Sequence, residues 1–207
     1  MSSLPVIRLA ATPEDRERIF RFRYRIYVEE MGRPQKYADH QRRTVEEPFD
    51  RTGHLLLAEA DGEVVGTLRS NVGRDTDLGY YTWLFGLDSV GAAFPRDVSL
   101  TTKLMVVPAL RSSTLAVRLA LALYDLGRDH GVRHDFIDCN AHLEAFFTRL
   151  GYRRYRPHVD HPEYGRVLPL RADLDDLAHL QSVGSPFVRS RTWKHVRLPR
   201  VPERLAA

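Results

Sequence analysis

The chain has 207 residues, 43% of them hydrophobic and 28% charged, which suits one domain with a real core and excludes a disordered chain. No apolar run approaches the roughly 20 residues a membrane span needs, and "MSSLPVIRLAATPEDRER" has no basic segment followed by an apolar one, so neither a span nor a signal peptide is expected. The net charge is +4, with arginines clustered in "RERIFRFRYR", "GYRRYRPH" and "VRSRTWKHVR", which favours an acidic partner; no nucleic-acid-binding motif is visible, so nucleic acid is not expected.

In chain order, Thr12 and Pro13 open a helix with acids in its first turn. Ile19, Phe22, Ile26 and Tyr27 recur at helical spacing on one face, and Gly32 with Pro34 ends the element. Residues 33 to 53 are polar and aperiodic and read as a long loop, a feature that is often functional. In "HLLLAEADGEVVGTLRSNV", two β-like runs flank Asp61-Gly62, a hairpin signal. "GRDTDLGYYTWLFGLDSVGAAFPRD" reads as a second irregular region, rich in aromatics and glycine.

"SLTTKLMVVP" is the next strand. Ser112, Ser113 and Thr114 suit the cap of a helix running to about His130, with Leu115, Leu119, Ala122, Leu123 and Leu126 on one face. "VRHDFIDC" is a short strand and "NAHLEAFFTRL" a helix stopped by Gly151. "YRRYRPHV" and "GRVLPLRAD" supply further strands, and "LDDLAHLQSV" is a short helix. The order predicts one α/β domain with a mixed central sheet flanked by helices. Residues 1–170 form its body, and residues 171–207 a C-terminal helix and basic tail packed on it. Cys139, the one cysteine, has no internal disulfide partner, which fits a reducing cytoplasm.

The strand–turn–helix–strand–helix order, ending in "NAHLEAFFTRLGYRRY", resembles the GNAT acyltransferase superfamily over residues 5 to 160. "FRFRYRIYVEEMG", Phe49-Asp50, "VVGTLR" and "LTTKLMV" resemble acyl-homoserine-lactone synthases and long-chain N-acyl amino acid synthases. "DCNAHLEAFFTRLGY" and "HPEYGRVLPL" lean toward the second group. Leu100-Thr101-Thr102-Lys103 stands where the lactone synthases carry Glu-x-Ser-Arg, which points away from lactone formation. Thr114 replaces the central glycine of the superfamily's phosphate turn, and Phe147 stands where many members have a tyrosine general acid.

The resemblance implies an N-acyltransferase that moves a fatty acyl group from acyl carrier protein or acyl-CoA to an amine of an amino acid, peptide or natural-product precursor. It implies co-substrates rather than a bound cofactor, and no metal. Two alternatives stay open: a short-chain acyl-CoA-dependent N-acetyltransferase, and a non-catalytic module that binds an acyl carrier or ligand. The donors at a helix N-terminus attract an anion. Arg111 with Ser112, Ser113 and Thr114 suits the single phosphodiester of a phosphopantetheine arm better than the several phosphates of CoA, because Thr114 fills space a glycine would leave. Backbone N–H groups around Val106 and Val107 are the expected hold on the thioester carbonyl. The proton-transfer candidates are Asp50, Glu30 and His142. Arg69 and Arg23 suit an acceptor carboxylate or, equally, a structural ion pair. Trp83, Phe85 and Phe147 are candidate walls for the acyl chain, or simply core.

Overall fold

The computed structural model describes residues 4–190. Val6–Leu9 forms β1, a short edge strand that the sequence patterning did not reveal. Helix α1 (Pro13–Tyr24) starts as expected, with the Thr12 hydroxyl accepting from the Asp15 N–H at 3.2 Å. It then widens into a π-helix over Arg25–Glu30 before the chain turns at Gly32. Such insertions occur frequently at functional sites.

Residues 33–53 are more built than their aperiodic sequence suggests. β2 (Ala38–Asp39) and β3 (Thr44–Val45) pair as a small ladder, and Pro48–Asp50 makes a 3₁₀ turn. Thr44, Val45, Glu47 and Asp50 are buried, so this segment is anchored to the body. Two-residue strands carry no periodicity, and buried charges read as a polar loop.

β4 (His54–Ala60) and β5 (Glu63–Val72) form the expected hairpin, with positive φ at both Asp61 and Gly62 as a tight two-residue turn requires. The second region read as irregular instead holds α2 (Tyr80–Phe85) and a 3₁₀ segment, Leu87–Ala93. Tyr81, Phe85 and Leu87 pack there against Leu100 and Phe136.

Then follow β6 (Val98–Val106), α3 (Leu115–Asp129) and β7 (His134–Cys139). A 3₁₀ turn at Ala141–Leu143 leads into α4 (Glu144–Leu150). Gly151 ends α4 at φ +113, where an added Cβ would lie 2.3 Å from the Leu180 side chain. β8 (Arg153–Arg154), β9 (Val159–His161), β10 (Gly165–Asp173) and α5 (Leu177–Ser182) complete the chain. Leu180 of α5 and Phe187 join the core that holds Tyr124 of α3. The expected basic tail lies outside the described residues beyond Ser190.

The main sheet runs β1-β4-β5-β6-β7-β10-β8, with β9 on β10. Every pair is antiparallel except β6–β7, which makes the sheet mixed as predicted. Leu55 and Leu57 meet α1, whereas Leu56 and Ala58 meet α3, so the helices cover opposite faces. No helix among the described residues is long and apolar enough to cross a membrane.

Two features of β6 set up the site. Its parallel pairing with β7 runs only from Val98 and His134 to Thr101 and Ile137. Just past that point a bulge inserts an extra residue, since Thr67 faces Met105 but Arg69 faces Thr102, and Lys103 takes φ +59. Below the bulge Asp135 of β7 accepts from Ser99, from Thr101 at 2.8 Å and from Tyr152, tying the strands together where they still pair.

Candidate active site

Beyond Thr101 and Ile137 the gap between β6 and β7 opens into a cavity of about 560 Å³, within the range of small-molecule sites. It reaches both faces of the sheet. Under α3 and α4 its walls are apolar, including Leu104, Ala116, Ala120, Phe147 and Leu150. On the opposite face the lining is polar and aromatic: Tyr27 of the π-helix, Tyr81 of α2, Lys103, Asp138 and Tyr164 of the β9–β10 turn.

Lys103 is the centre of the polar face. Its ammonium bonds the Glu47 carboxylate and the Tyr164 hydroxyl, and lies 5.1 Å and 4.8 Å from the ring centres of Tyr27 and Tyr164. His161 fixes Tyr164: its Nδ1 accepts the N–H groups of Glu163 at 3.1 Å and Tyr164 at 3.2 Å. Burial, with Lys103 adding to it, pushes the imidazole down to about 4, so it is neutral and free to accept.

Behind Lys103 lies a buried ion cluster. Arg69 Nη1 donates to Glu47 at 2.8 Å and Asp50 at 3.1 Å, while its Nε donates to the Thr102 hydroxyl at 3.0 Å. Arg23 Nη1 donates to both oxygens of Asp50 at 2.8 Å. Burial alone would raise the Glu47 carboxyl, but Lys103 and Arg69 outweigh it and hold it below the usual range. Burial likewise works against Asp50, yet Arg23 and Arg69 bring it down to about 2. Asp138 differs. Burial pushes its carboxyl up to about 6 against the pull of Lys103, and it has no ion pair or hydrogen bond to another described residue.

Of the candidates read from the sequence, Val106, Arg111, His142 and Phe147 line the cavity. Arg23, Asp50 and Arg69 meet one another as an ion cluster but are sealed behind the cavity wall at 0% exposure. Asp50, held ionised by two guanidiniums, is a poor proton acceptor. Arg23 and Arg69 have their charge opposed by Asp50 and Glu47, so neither reaches an acceptor directly. Glu30 is at the rim, paired with Arg111 at 2.5 Å. Ser112, Ser113 and Thr114 are exposed beside Arg111. The cap comes from Ser113, whose hydroxyl accepts from the Leu115 N–H at 3.2 Å; the Thr114 side chain makes no cap bond. Val107 is turned into the ladder, its N–H donating to Val65 at 3.0 Å, and so has no N–H left for a carbonyl. Trp83 is 71% exposed on α2 and Phe85 is wholly within the aromatic core, so neither lines the cavity.

The family model described as N-acyl amino acid synthase FeeM matches residues 18–173. No curated protein matches the sequence. Among solved structures, the CoA-dependent acyl-homoserine lactone synthase MesI is 25% identical, with 86% of this chain and 93% of that one covered and a TM-score of 0.63. FeeM from uncultured soil microbes is 13% identical over 91% of this chain and 98% of its own, TM-score 0.65. The acyl-homoserine lactone synthase LasI is 16% identical over 84% and 91%, TM-score 0.65. The last two likenesses are of fold. Together with the family match they bear out the GNAT-like α/β fold expected from the element order.

Proposed function

The chain belongs to the N-acyl amino acid synthase FeeM family and is an N-acyltransferase; from that premise we propose that it moves a fatty acyl group from a phosphopantetheine thioester to the amino group of an amino acid or amine-bearing precursor. The observation that carries this reading is the two-sided cavity. A thioester entering between α3 and α4 leaves its chain among apolar side chains and presents its carbonyl at the gap between β6 and β7. An amine on the opposite face meets that carbonyl beside Lys103 and Asp138, within walls of Tyr27, Tyr81 and Tyr164.

The Lys103 ammonium is the cation placed to attract an acceptor carboxylate. Arg69 then acts through Glu47, which holds Lys103 in place, as a positioning residue rather than a ligand. At the donor mouth Arg111 lines the cavity, with its Nε anchored on the Val106 carbonyl at 3.1 Å. Thr114 in place of glycine favours a carrier-protein arm, with one phosphodiester, over CoA. Arg153 and Arg154 are paired with Asp176 and Glu144 and do not line the cavity, whereas Arg33 and Arg111, the latter paired with Glu30, stand at its mouth and are the basic residues offered to a carrier there.

Incubating the protein with acyl carrier protein thioesters, acyl-CoA and an amine pool, with products weighed by mass spectrometry, tests the reading. Long-chain amides from the carrier thioester are expected. Turnover of acetyl-CoA alone would move the protein to short-chain N-acetylation, and no amide from any thioester would remove the acceptor and donor assignments together. Within that assay Arg111→Ala is expected to raise the donor KM about 5- to 30-fold, the loss of a charge-assisted hydrogen bond discounted for a partly exposed site. The acceptor KM should hold; an unchanged donor KM would take the phosphate role from Arg111.

A further inference from the structure

The acceptor arrives at neutral pH as an ammonium, and no attack on a thioester begins until that nitrogen is deprotonated. Resting on the acyl-transfer reading, we propose that Asp138 is the general base that takes this proton. Two of the three sequence candidates for that role do not sit where it is needed, since Asp50 is sealed behind the wall and Glu30 is held at the rim by Arg111; the third, His142, lines the cavity from the exposed 3₁₀ turn that leads into α4, not from the polar face that carries Lys103. Glu47 is bound by both Arg69 and Lys103.

Asp138 is placed by the fold at the reacting centre. It is the residue of β7 directly after Ile137, where pairing with β6 ends, and it lines the cavity from the polar face. Phe136, two residues back on the same strand face, packs in the cluster with Tyr81's ring and Val167, whereas Ile137 and Cys139 point to the α3 side. Its carboxyl is half-buried and bonded to no other described side chain. The charged and titratable groups around it are Lys103 of β6, Glu47 before the 3₁₀ turn, Tyr155 after β8 and the adjacent Cys139, with Tyr27, Tyr81 and Tyr164 on the same face of the cavity. Arg23, Arg69 and Lys103 are three cations set against the two carboxylates of Glu47 and Asp50. The unmatched positive charge favours an ionised Asp138 at neutral pH, and burial leaves that carboxylate more basic than its neighbours.

The acceptor ammonium gives one proton to the Asp138 carboxylate, which returns it to water. The freed lone pair attacks the thioester carbon, a C–N bond forms and the C–S bond breaks. The second proton, lost from nitrogen as the amide forms, ends on the departing thiol.

Asp138→Asn keeps the shape and removes the base. It is expected to lower kcat about 10²- to 10³-fold with the donor KM little changed. Wild-type kcat/KM should fall on an acid limb near pH 6. The variant should lose that limb and instead climb about tenfold per pH unit as hydroxide replaces the base. An acceptor that is already neutral at assay pH, such as a hydrazide, should recover most of the loss. A variant that keeps the wild-type pH profile, or one equally impaired with the neutral acceptor, overturns the assignment while leaving acyl transfer intact. If the variant does not fold, the wild-type profile decides: no acid limb between pH 5 and 7 overturns the proposal. Absence of amide formation by the wild type with every donor removes the acyl-transfer reading and this inference with it.

Discussion

Asp50→Ala is expected to destabilise the protein by about 3–5 kcal/mol, the usual penalty for breaking a buried ion pair from one side. Asp50 is 0% exposed, and its carboxylate answers Arg23 through both oxygens, Arg69 through Oδ1 and the Glu47 N–H through Oδ2 at 2.7 Å. Without it Arg23 is a fully buried cation with no ion-pair partner among the described residues, and its Nε and Nη2 already lack hydrogen-bond partners. Such a loss is a large part of the 5–15 kcal/mol that holds a typical domain together. The melting temperature should fall by roughly 6–20 °C. Glu30→Gln, which opens a pair at the rim, is expected to shift stability by less than about 1 kcal/mol.

The same residue sets a pH dependence whose sign follows from its depressed pKa. In the fold the Asp50 carboxyl sits at about 2, against about 3.9 in an unfolded chain. Its contribution is fully present above the unfolded value and is lost as pH falls through the folded one. Two pKa units correspond to about 2.6 kcal/mol. Urea titrations at a series of pH values should therefore show wild type and Asp50→Ala converging by about 2 kcal/mol between pH 5 and pH 2, where the folded carboxyl is half protonated. Parallel curves, or a difference below about 1 kcal/mol at neutral pH, would mean that water reaches the cluster and that it is not the scaffold for Lys103.

The parts of this molecule that were legible in its sequence are those governed by local pattern. Asp61-Gly62 takes positive φ at both positions and so marks its hairpin; the leucines of α3 recur at helical spacing; Gly151 closes α4 in the left-handed region. Burial of charge is not local, and there the reading failed. Glu47 looked like one acid in a polar loop, although it joins Arg69 to Lys103. Lys103 and Asp138 did carry a signal: each interrupts an apolar strand, in "LTTKLMVV" and "DFIDC", and a charge in a central strand needs a reason. Arg23, Arg69 and Asp50, candidates by residue type, do converge, but only the tertiary structure shows that they face one another and not the cavity. The aromatic candidates failed for the opposite reason. Trp83 and Phe85 follow cavity-lining Tyr81 along α2, yet Trp83 is turned to the surface, and Phe85, one turn on from Tyr81 and stacked on its ring at 5.5 Å, is buried in the core behind it.

Ala120→Phe is expected to shorten the acyl chain the enzyme accepts. Ala116 and Ala120 stand one turn apart on the face of α3 that looks into the cavity, and their small side chains leave open the space beneath the helix. A phenyl ring there occupies the room of three or four methylenes. Each buried methylene contributes about 0.8 kcal/mol, so the longest acyl donors should lose about 2.5–3 kcal/mol of transition-state binding, roughly 10²-fold in kcat/KM. Donors that end short of the ring should keep near-wild-type rates. Overpacking is the competing effect, at about 1–3 kcal/mol of stability, and it is separable because it reduces active enzyme equally for every donor. The measurement is kcat/KM across a series of acyl lengths at fixed acceptor. A loss uniform in chain length would place the acyl group outside the α3 side of the cavity. A loss that grows with each added carbon would fix the apolar end beneath Ala120 and, with it, the direction in which the thioester crosses the sheet toward Lys103 and Asp138.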